Sequence, residues 1–399
     1  MKAAVLRAPS VLEVADMATP EAGPGELILA IRAATVCGTD LRILSGKKTK
    51  GIRFPSVIGH EFAGVVVQTG QGVNGFVTGD RVCMDPVVPC RACAYCKAGL
   101  ENVCQNRQAM GYEFDGAFAE FIRIPAIALA AGNVFKMPEG MSFEAAALSE
   151  PLACCINGQK NAQVGLGDSV VILGAGPIGL MHAALARAAG ARQVIVSEPN
   201  AARRQAALER GVNHACDPTR ENLLDLVKSK TEGLGADVVI LAIGVPALAN
   251  EALNLVRKGG RVNLFAGFSQ GDMSSIDVNL IHYNEITVTG ASALSRSGYE
   301  LALNMLSTGQ IDATSLITHR YAVSDSLAAF DAAASGNAIK REWLRYYDTA
   351  PAPFDRKIIS WDTASTLGES SDYSVATVWG SKGLDYFLLH IERGRMEAP

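Results

Sequence analysis

Four cysteines fall within fifteen residues, Cys90, Cys93, Cys96 and Cys104, in the spacing C-x2-C-x2-C-x7-C. Four thiolates from one short lobe close a tetrahedral zinc site with no open position, so this set is expected to be structural. A second set is dispersed: Cys37 in Cys37-Gly38-Thr39-Asp40, His60 and Glu61 in Gly59-His60-Glu61, and Glu150 in Ser149-Glu150-Pro151. Together these offer three ligands and a spare, which suits a catalytic zinc that keeps one position open. Singly, each has a structural explanation. Cys37 reads equally as a core thiol, His60 as a buried histidine with its hydrogen bonds met, and Glu150 as a helix-end carboxylate. Residues this far apart in sequence do not decide between those readings.

A third constellation concerns a dinucleotide. Gly174-Ala175-Gly176-Pro177-Ile178-Gly179 follows the apolar run Ser169–Leu173 and opens a helical pattern. In that context Gly174 permits a tight turn, Gly176 lets a pyrophosphate approach the backbone, and Gly179 lets helix and strand pack closely. Pro177 and Ile178 begin the helix, whose free N–H groups and partial positive charge face the phosphates. Glu198 ends the next strand, about twenty residues further on. A carboxylate there accepts hydrogen bonds from a ribose 2′-OH and repels a 2′-phosphate, so NAD is expected rather than NADP. Arg203 and Arg204 follow closely and pull the other way, because a nearby arginine accommodates that phosphate.

The elements that must position these groups follow from the sequence pattern. The first part reads as short strands, among them Leu27–Ala33, Phe62–Thr69 and Arg81–Asp85, broken by Gly, Pro and Asp turns. Ser142–Gln163 is Ala-rich and helical in pattern. Strands are then expected at Ser169–Leu173, Gln193–Glu198, Ala236–Ala242, Gly260–Ala266 and Glu285–Gly290, with helices between them such as Pro177–Ala189. Alternating βαβ units imply an α/β fold with a parallel sheet covered on both faces. Helices are expected again at Gly298–Thr308 and Asp325–Ser335.

The bulk numbers narrow the function classes. The 399 residues suffice for two or three domains, and 49% apolar with 19% charged residues is ordinary for a buried globular chain. A net charge of −4 gives no reason to expect a nucleic-acid or anionic-membrane partner. Neither a signal peptide nor a membrane span is evident, so a cytoplasmic protein is expected, and its nine cysteines read as metal ligands or buried thiols.

Residues 1–340 resemble the zinc-dependent medium-chain alcohol dehydrogenases. The resemblance rests on Cys37-Gly38-Thr39-Asp40, Gly59-His60-Glu61-Phe62-Ala63-Gly64, Gly79-Asp80-Arg81-Val82, the four-cysteine lobe and Gly174–Gly179, all in the family's order and spacing. Glu150-Pro151-Leu152-Ala153 and Asn157-Gly158-Gln159 are similar to the sorbitol (iditol) and threonine dehydrogenase branch. The resemblance implies a GroES-like catalytic domain over 1–155 and 291–340, and a doubly wound Rossmann domain over 156–290 that binds NAD. It implies two zinc ions per chain. One is held by Cys37, His60 and Glu150, with Glu61 exchangeable or linked through water and Cys154 or Cys155 as alternative ligands. Thr39 would pass the substrate proton outward. The substrate would be a secondary alcohol or polyol, or a threonine-like hydroxy compound, and the assembly a dimer or tetramer.

Composition shifts near Lys340. All three tryptophans lie beyond it and none of the cysteines does. The stretch Phe354–Ala364, with Asp372-Tyr373-Ser374-Val375 and Asp385–Leu389, resembles the start of a phage terminase large-subunit nuclease domain. That likeness implies three antiparallel strands in a fused, foreign tail over 341–399, with Asp362 matching the first metal-binding acid. The later acids of a two-metal site are missing, and seven basic residues stand against nine acidic ones. Nuclease activity is therefore not expected, and nucleic acid is an unlikely partner.

Overall fold

Five short runs rich in Val, Ile and Leu can satisfy their backbone only by pairing with one another. In the computed structural model they do so in parallel. The structure describes residues 1–268 and 271–335, together with three strands in the last sixty residues. A six-stranded sheet runs His214–Cys216, Gln193–Ser197, Ser169–Leu173, Ala236–Leu241, Val256–Leu264, Thr287–Gly290. In chain order this is 3-2-1-4-5-6, and every pairing is parallel. It is the doubly wound dinucleotide-binding order, which opens a crevice where the strand order reverses. Ser169–Leu173 lies at that reversal and is buried at every position, as a strand covered on both faces must be.

The helices that cover the sheet are capped by the sequence. Pro177 occupies the first turn of Pro177–Ala188, where its missing N–H costs nothing. Asn200 caps Ala201–Glu209 by accepting from the Arg203 N–H, and Asn222 caps Leu223–Lys230.

The expected elements form, with differences at their ends. The Ala-rich segment is two helices, Phe143–Ala147 and Ser149–Asn161, separated at Leu148. The fifth strand begins at Val256 rather than Gly260. The sixth begins at Thr287, because Glu285 turns left-handed (φ 51°) to close the helix Val278–Asn284. The edge strand His214–Cys216 was not expected from the pattern, since three residues are too short to show a period.

The β-rich part holds the dispersed residues. An antiparallel sheet runs Val134–Lys136, Arg81–Met84, Glu61–Thr69, Leu27–Thr35, Phe121–Ile124. In its register Thr35 stands opposite Glu61. A separate sheet of Lys2–Ala8, Val11–Asp16 and Ser56–Val57 lies alongside in sequence. The helices Ser149–Asn161 and Arg296–Ser307 share an apolar core with Met181, Leu185 and Tyr299, so the β-rich part and the parallel sheet belong to one unit, Met1–Gly336.

The second unit is Asn337–Pro399. Its described strands, Arg356–Asp362, Ser374–Lys382 and Asp385–Gly394, form an antiparallel three-stranded sheet in sequence order. The compositional break expected at Lys340, and the residues Trp343, Leu344 and Asp372, lie outside the described residues.

Candidate zinc and dinucleotide sites

The four-cysteine lobe is a loop with two short helical turns, Ala94–Lys97 and Glu101–Val103, so its backbone is free to point successive sulfurs inward. The four Sγ atoms lie within 4.8 Å of one another. Three of the separations are 3.4 Å for Cys104–Cys90, 3.6 Å for Cys93–Cys96 and 3.8 Å for Cys93–Cys104. A tetrahedron with metal–sulfur bonds of about 2.3 Å has edges of roughly 3.8 Å, so the spacing fits zinc. None of the four is in a disulfide. The N–H groups of Cys96 and Gln105 bring the Cys93 thiol down to about 6, and those of Ala92 and Cys93 lower Cys90. Cys96 goes the other way, to about 12, through burial first and then through hydrogen bonds shared with Cys104 and Cys93. A cation among the sulfurs would favour the thiolate at all four.

The dispersed set converges as well. Ligand atoms of Cys37, His60 and Glu61 lie within 4.8 Å of one another. Cys37 caps the helix Gly38–Leu44, and its N–H donates to Asp40 Oδ2 at 2.9 Å. His60 immediately precedes the strand Glu61–Thr69. Glu61 is held by its cross-strand partner, the Thr35 hydroxyl, which donates to Oε2. Behind His60 sits Asp40, fully buried, with Oδ1 at 3.3 Å from Nδ1. The two atoms are close but not aligned as a hydrogen bond, and each is otherwise unpartnered. A carboxylate behind one imidazole nitrogen fixes the ring and presents the other nitrogen to a metal. Sequence reasoning gave Asp40 no role, although it stands within the quoted Cys37–Asp40 motif.

Glu150 lies in the first turn of Ser149–Asn161 and is buried. Its charge is felt by His60 and Glu61, but it is not one of the three groups that meet within 4.8 Å. Its Oε1 accepts from Cys154 Sγ at 3.5 Å. Cys155 is turned away, toward the Ile178 carbonyl.

Burial dominates the electrostatics of this cluster. Cys37, ringed by protein atoms, is pushed up to about 11, by burial first and then by Glu61. Burial likewise raises Glu61, and raises Glu150 to about 8. For His60, burial pulls downward, but Asp40 and then Cys37 outweigh it, and the imidazole ends well above its usual range. Buried acids held toward their neutral forms around one histidine suit a divalent cation, whose charge reverses each of those shifts.

Thr39 sits two residues past Cys37, and its hydroxyl oxygen accepts from Arg42 Nη2 at 3.1 Å. Arg42 Nη1 also reaches the Gly267 carbonyl at 3.2 Å, tying the helix to the loop after the fifth strand of the parallel sheet. A guanidinium has no acceptor, so a proton leaving by way of Thr39 cannot continue onto Arg42.

At the glycine turn each glycine does different work. Gly174 has φ +104° and lies against Ile243. A Cβ on Gly179 would sit 2.0 Å from the Gly174 carbonyl oxygen, whereas one on Gly176 would meet nothing within 4 Å. Gly179 therefore packs the helix onto the turn, and Gly176 leaves open space where a pyrophosphate would approach. Pro177 and Ile178 start the helix as expected. Glu198 is buried, with Oε2 taking the Ala175 N–H at 2.9 Å and Oε1 the Asn200 N–H at 3.0 Å. Arg203 Nη1 lies 3.9 Å from that carboxylate, and Arg204 binds the Glu198 carbonyl. A cavity of about 450 Å³ lined by Leu180, Met181, Arg210 and Ile311 shares no residue with any of these sites, so volume and chemistry do not coincide here.

Residues 23–139 match the family model described as the alcohol dehydrogenase GroES-like domain, and residues 177–308 match that of the zinc-binding dehydrogenases. An L-threonine 3-dehydrogenase of Pseudoalteromonas translucida is 34% identical over 84% of this chain and 96% of its own length. A zinc-binding dehydrogenase from Sinorhizobium meliloti, solved with NADP bound, superposes with a TM-score of 0.78 at 32% identity, covering 82% of this chain and 94% of that one. Galactitol-1-phosphate dehydrogenase from Escherichia coli gives 0.76 at 26% identity, over 84% and 95%.

Proposed function

The chain belongs to the zinc-dependent medium-chain alcohol dehydrogenases, NAD(P)-dependent oxidoreductases, and from that premise we propose that it oxidises a small secondary alcohol with NAD+. Candidate substrates are a polyol or a threonine-like hydroxy compound, the classes named for its relatives. The observation that carries this reading is the meeting of Cys37, His60 and Glu61 within 4.8 Å, beside Glu150. We read Cys37, His60 and Glu150 as ligands of a catalytic zinc and Glu61 as the exchangeable one. Residues 1–155 with 291–340 then form the catalytic domain, and 156–290 the cofactor domain.

Bound zinc supplies Lewis acidity toward the alcohol oxygen, and bound nicotinamide supplies the hydride acceptor. The chain does the rest. Asp40 holds the His60 ring, and Thr35 holds the Glu61 carboxylate. Thr39 can accept the substrate's hydroxyl proton while releasing its own to solvent, because Arg42 already occupies one lone pair and cannot take it. The N-terminus of Pro177–Ala188, with Gly176 at its cap, would hold the pyrophosphate of a bound cofactor.

Glu198 supports NAD over NADP, since a buried carboxylate at the ribose position opposes a 2′-phosphate. Arg203 beside it limits the preference.

The test is NADH formation by the purified full-length protein against a panel of polyols and hydroxy amino acids. Activity with NAD+ that is lost in Cys37→Ser and His60→Ala is expected. Turnover that survives both changes would exclude the metal-centred reading.

A further inference from the structure

Beside the metal cluster Lys48 stands in the field of two further cations, Arg42 and Arg107. Lys48 follows the helix Gly38–Leu44, and its N–H donates to the Arg42 carbonyl at 3.0 Å, which fixes the loop over that helix. Its Nζ stands 4.9 Å above the centre of the Tyr112 ring. That ring in turn packs edge-on against His60, with centroids 5.8 Å apart. The ammonium is thus one aromatic ring away from a candidate metal ligand. Arg42 and Arg107 bear on the same ammonium.

Among the described residues, none of Lys48, Arg42 and Arg107 has a carboxylate within 4.0 Å. Two acidic groups, Cys37 and then Glu113, favour the charged form of Lys48 without pairing with it, and Glu113 Oε2 also accepts the Ala109 N–H at 2.9 Å. Arg42 is engaged with Thr39 and Gly267, and Arg107 with the Asn102 carbonyl, all neutral acceptors. Burial, and then Arg42 and Arg107, press Lys48 toward its neutral form. A half-buried ammonium beside two further cations is stabilised by an anion.

We propose that Lys48, backed by Arg42 and Arg107, anchors an anionic group of the substrate, a carboxylate or a phosphate ester, while the carbinol sits at the Cys37–His60 cluster. The inference rests on the dehydrogenase reading for the identity of the cluster and adds the class of substrate: a secondary alcohol that also carries an anion. Cofactor phosphates have their own place at the helix beginning with Pro177, where Gly176 leaves room for them. Lys48 is a binding residue in this account and takes no part in bond making.

The test uses two matched pairs. L-Threonine and L-threoninol differ by a carboxylate, and galactitol 1-phosphate and galactitol differ by a phosphate. Each compound is titrated calorimetrically into the full-length protein saturated with NADH, and each is assayed separately for NAD+ reduction. The charged member of one pair should bind about 10- to 100-fold more tightly than its neutral partner, as a charge-assisted contact allows. Which pair responds tells carboxylate from phosphate. Lys48→Met should collapse that preference, with the loss carried by KM, and Lys48→Arg should keep most of it. Equal binding within both pairs overturns the proposal. So does a Lys48→Met protein that keeps the preference, or one in which only the KM for NAD+ rises. A binding preference without any NADH formation would uphold the anchor and sink the dehydrogenase reading instead.

Discussion

Asp40 touches no proposed substrate, yet it sets what His60 can do. It is fully buried, holds the Cys37 N–H with one oxygen and faces His60 Nδ1 with the other. Asp40→Asn keeps the shape and removes the charge. Zinc affinity of the dispersed site should fall by about 10- to 100-fold, measured by competition with a chromogenic chelator, while the four-cysteine site is unaffected. Asp85 makes a separate prediction. Burial raises its carboxyl to about 7, against the Val87 N–H and the charge of Arg296. A raised acid keeps its proton in the folded state after the unfolded chain has lost it, so stability falls as pH rises from about 4 to about 7. Asp85→Asn should flatten that slope in urea titrations and stabilise the protein at pH 8; an unchanged slope would assign it to other groups. At this scale the sequence was unevenly legible. The four-cysteine lobe could be read because its ligands are neighbours along the chain. Asp40 could not, because its role is defined by the imidazole it faces across space. Glu61 looked secondary to Glu150, yet the Thr35 opposite it in the sheet register carries it into the cluster.

Elements decide where these residues meet. The parallel sheet was predictable because runs such as Ser169–Leu173 are apolar after their first residue and separated by capped helices. The glycine turn shows how closely sequence and packing agree. A side chain at Gly179 would drive into the Gly174 carbonyl, and that contact is backbone on both sides, so no flexible group can yield. Gly179→Ala should cost about 1–3 kcal/mol of stability, read from the urea midpoint, and should raise the KM for NAD+. Gly176→Ala meets no protein atom and should leave stability nearly unchanged while weakening NAD+ binding, because the lost space belongs to the cofactor. If both changes affected stability equally, the turn would be serving the fold alone. The elements missed were those without a period to see. His214–Cys216 is three residues of sheet edge, and the break at Leu148 was marked only by Pro151, which sits in the first turn of the second helix and cannot continue the hydrogen bonding of the first.

For the molecule as a whole, the dehydrogenase unit ends at Gly336, and the second unit supplies none of the residues described at the zinc and dinucleotide sites. The chain covers 96% of the length of a threonine dehydrogenase relative while leaving part of itself unmatched, so one complete dehydrogenase fits within it. A protein truncated after Lys340 should therefore keep both metal sites and NAD+ reduction, and loss of either would make the tail part of the working fold. Zinc per chain should be measured by mass spectrometry in the full-length protein and in Cys37→Ser and Cys93→Ser. About two zinc ions per chain are expected, falling to about one in either variant, because the two ligand sets are independent. A full-length protein with one zinc that Cys37→Ser does not remove would mean that Cys37, His60 and their acidic neighbours do not form a catalytic metal centre.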